Sequence, residues 1–265
     1  MKLRRFWDYV RVVRVTALMT FRQNVADMFI LFAVLFQPLI IVVMAMWMLK
    51  DMGGDYAIWV VVGSGMTGLW SSLLFVSGNS ITGERWVGTL EYLVSSPTPM
   101  QVVVFGKTLS NVIQSLFSMV LSYALVSLML GTPINIAQPG LFAISVVFTT
   151  ISFISFGLII AAAFVVSPEV QRWQNGLEFP IYILAGFLFP IALLPGWTTP
   201  LSYLLPPYWA AQALHATAAG TAQLSGLAVS WGVMLGLSVV LFAISGGLFR
   251  SVLRKARVDA TLGMQ

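Results

Sequence analysis

Long apolar runs alternate with short polar breaks along this chain, and the runs are long enough to cross a bilayer. A helix spanning the hydrocarbon needs about 20 apolar residues. Six runs qualify: Met28–Leu49, Tyr56–Val76, Leu109–Leu130, Leu141–Val166, Leu177–Leu194 and Leu224–Phe249. Polar turns separate them, at residues 50–55, at Gly131-Thr132-Pro133 and at Ser167-Pro168-Glu169. The first run is longer than the roughly 7–15 apolar residues of a signal peptide, and residues 1–27 precede it, so it reads as a span.

Two segments break the simple pattern. In Leu3–Gln23, Phe6, Val10, Val13, Ala17 and Phe21 recur at helical spacing, with Arg4, Arg11, Arg14 and Arg22 largely off that stripe. This predicts an amphipathic helix lying in the membrane interface; a basic leader is the plainer alternative. The fifth run holds Pro180 and Pro190, and Pro195, Pro200, Pro206 and Pro207 follow. Proline removes a backbone donor, and lipid offers no replacement. Residues 189–208 are therefore expected to form broken helices or a re-entrant element near the outer face. Trp197, Tyr203, Tyr208 and Trp209 would form its aromatic belt. An ordinary outer loop is the alternative.

Composition agrees with a lipid-facing surface. The chain is 58% hydrophobic and 9% charged, with mean hydropathy +0.91, against about 25% charged residues in a soluble domain. Six spans put both termini on one side, and that side then holds every Lys and Arg of the 14 except Lys50. Basic residues are retained in the cytoplasm, so both termini are expected there. The predicted fold is all-α and integral to the membrane, one domain over 1–265. An interfacial helix (1–27) leads into a six-span bundle (28–249) and a cytoplasmic tail (250–265).

Catalytic chemistry is sparse. Cysteine is absent, which excludes thiolate nucleophiles and thiolate metal sites. Gly106-Lys107-Thr108 looks like the end of a phosphate-binding loop, but Gln101 stands where that motif needs glycine, and no strand precedes it. Lys107 reads instead as an anchor for the inner end of the third span. His215 is the sole histidine and has no cysteine or carboxylate close in sequence, so no metal site is expected. Gly63, Ser64, Gly65, Gly68, Ser71 and Ser72 favour close helix packing over a serine nucleophile. Asp27, Glu84, Glu91, Glu169 and Glu178 are all expected near cytoplasmic ends, leaving no charge at mid-membrane and weighing against an ion-coupled carrier. The chain itself is not expected to be an enzyme or to bind nucleic acid.

The polar stretch from Thr82 to Pro97 carries the most specific signal. Wound as one helix, Glu84, Gly88, Glu91 and Ser95 fall within about 60° of each other, and Trp86, Leu90, Leu93 and Val94 lie opposite. One face would pack on the bundle and the other would point into water, where a partner or solvent alone could meet it.

Glu84-Arg85-x-x-Gly88-Thr89-Leu90-Glu91-x-Leu93-x-x-Ser96-Pro97, followed by Gly106-Lys107, resembles the cytoplasmic loop of type-2 ABC transporter permeases. Ala185-Gly186-Phe187-Leu188-Phe189-Pro190-x-x-x-Leu194-Pro195, then Leu205-Pro206-Pro207-Tyr208, resembles that family's fifth span and outer hairpin. The adjacent prolines and the uncharged outer segment depart from it.

The resemblance implies the transmembrane subunit of an ATP-driven exporter in a bacterial or archaeal inner membrane. A second permease copy, as a homodimer, and two cytoplasmic ABC ATPase subunits would complete it. ATP and Mg would be bound by the ATPase, with no cofactor in this chain. Glu84, Arg85, Gly88, Thr89 and Glu91 would couple to the ATPase, with the N-terminal amphipathic helix as the connecting helix beside them. Phe189, Pro190, Leu194, Pro195, Pro206 and Tyr208 would form an outer gate. Trp59, Met66, Trp70, Phe179, Tyr182 and Phe187 would line a substrate path. An apolar path suits a drug, a lipid-linked glycan or a hydrophobic peptide. A non-transporting scaffold that binds a cytoplasmic partner is the alternative.

Overall fold

The computed structural model of the chain describes residues 2–49, 56–96, 98–131, 135–166 and 174–259. The expected turns at 50–55, 132–133 and 167–169, together with Pro97, Arg172 and the end of the tail from 260, lie outside them. Among the described residues the structure is helical, with no strand. Four helices are long and apolar enough to cross a membrane: Tyr56–Glu84, Met100–Leu130, Pro139–Val165 and Leu224–Ser251. The protein is an all-α, multi-pass membrane protein.

The first helix, α1 (Lys2–Ala26), packs along α7 (Met100–Leu130). Its stripe of Phe6, Val10, Val13, Ala17 and Phe21 lines two grooves between α1 and α7. Asp27 then caps the next helix, accepting from the N–H groups of Phe29 at 2.9 Å and Ile30 at 3.3 Å. Such a cap satisfies donors that lipid could not. The first apolar run follows as α2 (Met28–Leu31), a π-helical turn (Phe32–Phe36) and α3 (Gln37–Leu49).

At the centre stands α4 (Tyr56–Ser71), continued by a π-helical segment (Ser72–Ser77). Buried residues run almost unbroken along it, and α3, α7 and the helices that follow surround it. Gly63, Ser64, Gly65 and Gly68 are all buried. Lipid is as apolar as leucine, so small residues that let backbones approach are what hold such a helix in place. Helix α8 (Pro139–Val166) packs on the last long helix, α12 (Leu224–Asp259). Val239, Val240 and Ile244 of α12 stay exposed, as on a lipid-facing surface.

The fifth run departs most from expectation. Its helix α9 (Gln174–Leu184) stops ten residues before Leu194. Gly186 adopts φ 68°, a left-handed backbone that reverses the chain. Two 3-10 turns (Ile191–Leu193 and Gly196–Thr198), α10 (Thr199–Tyr203) and α11 (Pro206–Ala219) follow. Helix α11 returns to pack on α8, α4 and α12. The first and fifth runs are thus shorter or interrupted, unlike the four long helices.

Candidate functional site

The stretch from Thr82 to Pro97 is not one helix. It is α5 (Ser80–Val87) followed by α6 (Leu90–Ser95), with a sharp break between. Gly88 sits at the break with φ 78°, where a side chain would be strained. Gly88 therefore ends a helix and does not offer a flat face within one. The result is a knuckle, with Val87 and Tyr92 close to 80% exposed on either side of it.

Glu84 also points differently from expectation. Its carboxylate forms an ion pair with Lys107 of α7 and takes a hydrogen bond from the Thr89 hydroxyl. Lys107 donates as well to the Ser80 carbonyl at 3.0 Å. Glu84, Thr89 and Lys107 thus tie the knuckle to the third span, and Glu84 does not face outward. The side chains of Arg85, Trp86, Leu90, Glu91 and Val94 lie outside the described residues.

Just above the knuckle, polar side chains join four elements. Asn24 of α1 donates to Asn111 of α7 at 2.8 Å, and Asn111 donates to Ser77 at 2.8 Å. Asn79, beyond the π segment, donates to Gln174 of α9 at 3.2 Å, and Gln174 donates back to the Leu74 carbonyl at 2.9 Å. The foot of the central span is therefore bonded to α7 and α9 directly, and through Asn111 to α1. Replacing Asn111 by leucine leaves Asn24 and Ser77 each short of a partner. The expected loss is about 1–2 kcal/mol, read as a thermal midpoint lowered by a few degrees in detergent.

Glu178 is the fifth residue of α9, one turn above Gln174. It is buried between α9 and α4, where its Oε1 accepts from Ser71 at 2.8 Å and Tyr182 at 2.7 Å. Gln37 of α3 reaches the same oxygen at 3.4 Å. Ser71 lies about 22 Å along α4 from Tyr56, at 1.5 Å per residue. That is inside a hydrocarbon layer about 30 Å thick. What sequence spacing missed is the burial of Glu178, which packs against Ser71, the last residue of α4. An ionisable group at such depth marks function by default.

The hairpin after α9 is anchored on α4. The Phe187 carbonyl sits over Gly63 and lies 3.0 Å from His215 Nε2. The His215 ring stacks on Trp59, centroids 3.8 Å apart. His215 is thus a buried clamp between α11, α4 and the turn. Pro206 and Tyr208 are buried at the start of α11, and Tyr208 packs on Tyr203 and Trp209. Pro190 and Pro195 precede the two 3-10 turns, with Phe189 and Leu194 half-buried beside them.

Of the six residues expected along a path, Met66, Trp70 and Phe187 are buried inside the chain's own core. Trp70 stacks on Phe156, centroids 5.5 Å apart. Tyr182 belongs to the Glu178 cluster, and Trp59 to the His215 clamp. Phe179 alone is strongly exposed. Among the described residues no group of acidic, histidine or cysteine side chains is placed to hold a metal.

Comparison with known proteins gives one strong result. A family model described as ABC-2 type transporter matches residues 13–218, most of the chain, including α4, the knuckle, α9 and the hairpin. No curated protein matches the chain.

Proposed function

The chain belongs to the ABC-2 type transporter family, as a transmembrane subunit, and from that premise we propose that it is the permease half of an exporter. Two copies would pair in the bilayer, each crossing it six times with both termini in the cytoplasm of a bacterial or archaeal cell. Members of this family work with an ATPase subunit. Two such subunits would dock on the knuckles, bind ATP with Mg, and supply the energy that this chain does not generate.

The observation that carries this reading is the exposed knuckle at the foot of the buried central helix. Val87 and Tyr92 offer apolar contact to a partner, and the Glu84–Lys107 ion pair fixes the knuckle to α7. Movement of the ATPase would pass through that pair to α7 and through Ser77, Asn79 and Gln174 to α4 and α9. The Glu178 cluster would carry it up α9 to the hairpin, where Phe189, Pro190, Leu194 and Pro195 open or close the far end. Cargo would pass along the Phe179 face of α9, between the two copies. Such a path is apolar and suits an amphipathic or lipid-like molecule such as a drug, a lipid-linked glycan or a hydrophobic peptide.

Reconstitution with the copurifying ATPase tests this reading. Hydrolysis in liposomes should rise when the cargo is added, and cargo should leave the compartment that holds ATP. A scaffold that only binds its partner would show neither. Glu178 offers a finer check. Glu178→Gln keeps an oxygen for Ser71 and Tyr182 and should transport within about threefold of the parent. Glu178→Leu removes the acceptor that both hydroxyls share and leaves them only each other, at a cost of about 1–3 kcal/mol, and should lose most transport, measured as initial rate at equal protein level.

A further inference from the structure

A second site lies away from the knuckle and the hairpin. A groove of about 660 Å³ opens between α1, the first turns of α7 and α12. Phe105 and Leu109 of α7 and Phe242 of α12 form its apolar walls, and Tyr9, Arg14 and Gln101 supply its polar groups. Gln101 is held in place, donating to the Phe242 carbonyl at 2.9 Å and to Ser245 at 3.1 Å. Arg14 is exposed, and among the described residues no carboxylate pairs with it.

Depth says what kind of molecule meets this groove. Leu109 lies about 31 Å along α7 from Leu130, and Phe242 about 27 Å along α12 from Leu224. Both distances match the roughly 30 Å of bilayer hydrocarbon. The groove therefore straddles the boundary where acyl chains give way to headgroups. Its apolar walls face one side of that boundary, and a cation stands at its rim.

We propose that this groove binds one anionic phospholipid from the leaflet in which α1 lies. Its phosphate meets Arg14, and an acyl chain lies along Phe105, Leu109 and Phe242. The lipid wedges α1 against α7 and so holds the helix that Asn24 ties to Asn111 of α7. The site needs only a bilayer, not transport, so its test is independent of the ATPase.

The test is native mass spectrometry of the purified full chain, offered equal phosphatidylglycerol and phosphatidylcholine. The parent should retain one phosphatidylglycerol per chain, with about fivefold preference, as one basic side chain near a membrane surface confers. Arg14→Glu should abolish the preference, Arg14→Lys should keep it, and Arg22→Glu should leave it unchanged. Leu109→Trp should fill the groove and shed the lipid. Equal retention of the two lipids by the parent overturns the proposal, with no variant needed. So does an unchanged preference in Arg14→Glu, or a second copy of the chain in place of lipid that Leu109→Trp disperses.

Discussion

Gly63→Val is expected to lower the thermal midpoint in detergent by about 6–12 °C and to abolish transport. A Cβ at this position would meet the Phe187 carbonyl oxygen at 2.3 Å and Leu188 Cδ2 at 2.9 Å. The first is backbone and cannot swing aside. It is also the atom 3.0 Å from His215 Nε2. To accommodate valine the turn must rise off α4 and release the clamp. Overpacking costs about 1–3 kcal/mol, and a stranded buried hydrogen-bonding group about 1–3 more. Near 3 kcal/mol in total, at about 2–4 °C per kcal/mol, sets the expected shift. Gly226→Ala is the control, since nothing lies within 4 Å of the Cβ it adds; its helix should be unaffected or slightly firmer. A Gly63→Val protein that melts with the parent and transports normally contradicts the clamp.

The second large effect belongs to the ion pair at the knuckle. Either Glu84→Lys or Lys107→Glu should cut ATP-driven transport more than tenfold while the partner still hydrolyses ATP. Each single change sets two like charges against each other between α5 and α7. The double exchange restores opposite charges and should recover most of the rate. Recovery falls short of complete because Lys107 also donates to the Ser80 carbonyl, which a glutamate there cannot do. Both side chains are only partly shielded from solvent, so a coupling energy of roughly 1–2 kcal/mol is expected, above an open surface pair and below a buried one. A double-mutant cycle on transport rate measures it. If the double exchange is as inactive as either single change, the pair does not transmit motion as a unit.

Most of the helices were legible in the pattern of apolar runs. The spans at 56–76, 109–130, 141–166 and 224–249 each fall inside an observed helix, because lipid leaves the backbone no alternative over such lengths. The prolines from Pro190 on were legible as a broken region. What the pattern hid was registration between helices. Gly88 lay on a helical wheel only because the wheel assumes an unbroken helix; the left-handed turn there was the simpler use of a glycine. Glu178 lies near one end of α9 as expected, but its burial against Ser71 and Tyr182 depends on packing that spacing does not show. Asn24 and Asn111 carried a signal that went unused: amides in apolar stretches of a membrane chain need partners, and these two find each other 87 positions apart. The burial of Met66 and Trp70 in the chain's own core was hidden for a related reason. Aromatic and thioether side chains in a span can face either lipid, a partner copy or the chain's own core, and periodicity does not distinguish these when the helix is apolar on all sides.

The knuckle is where this subunit is proposed to meet its ATPase, and the absence of native cysteine permits a clean measurement. Single cysteines are introduced by Tyr92→Cys on the knuckle and by Trp197→Cys on the hairpin, both at strongly exposed positions. Membranes carrying each variant and the copurifying ATPase are treated with a short bifunctional thiol–amine cross-linker, with and without ATP. Tyr92→Cys should give one dominant adduct with the ATPase, its yield changing with nucleotide, while Trp197→Cys gives none. No adduct at Tyr92, or equal adducts from both positions, would contradict the assignment.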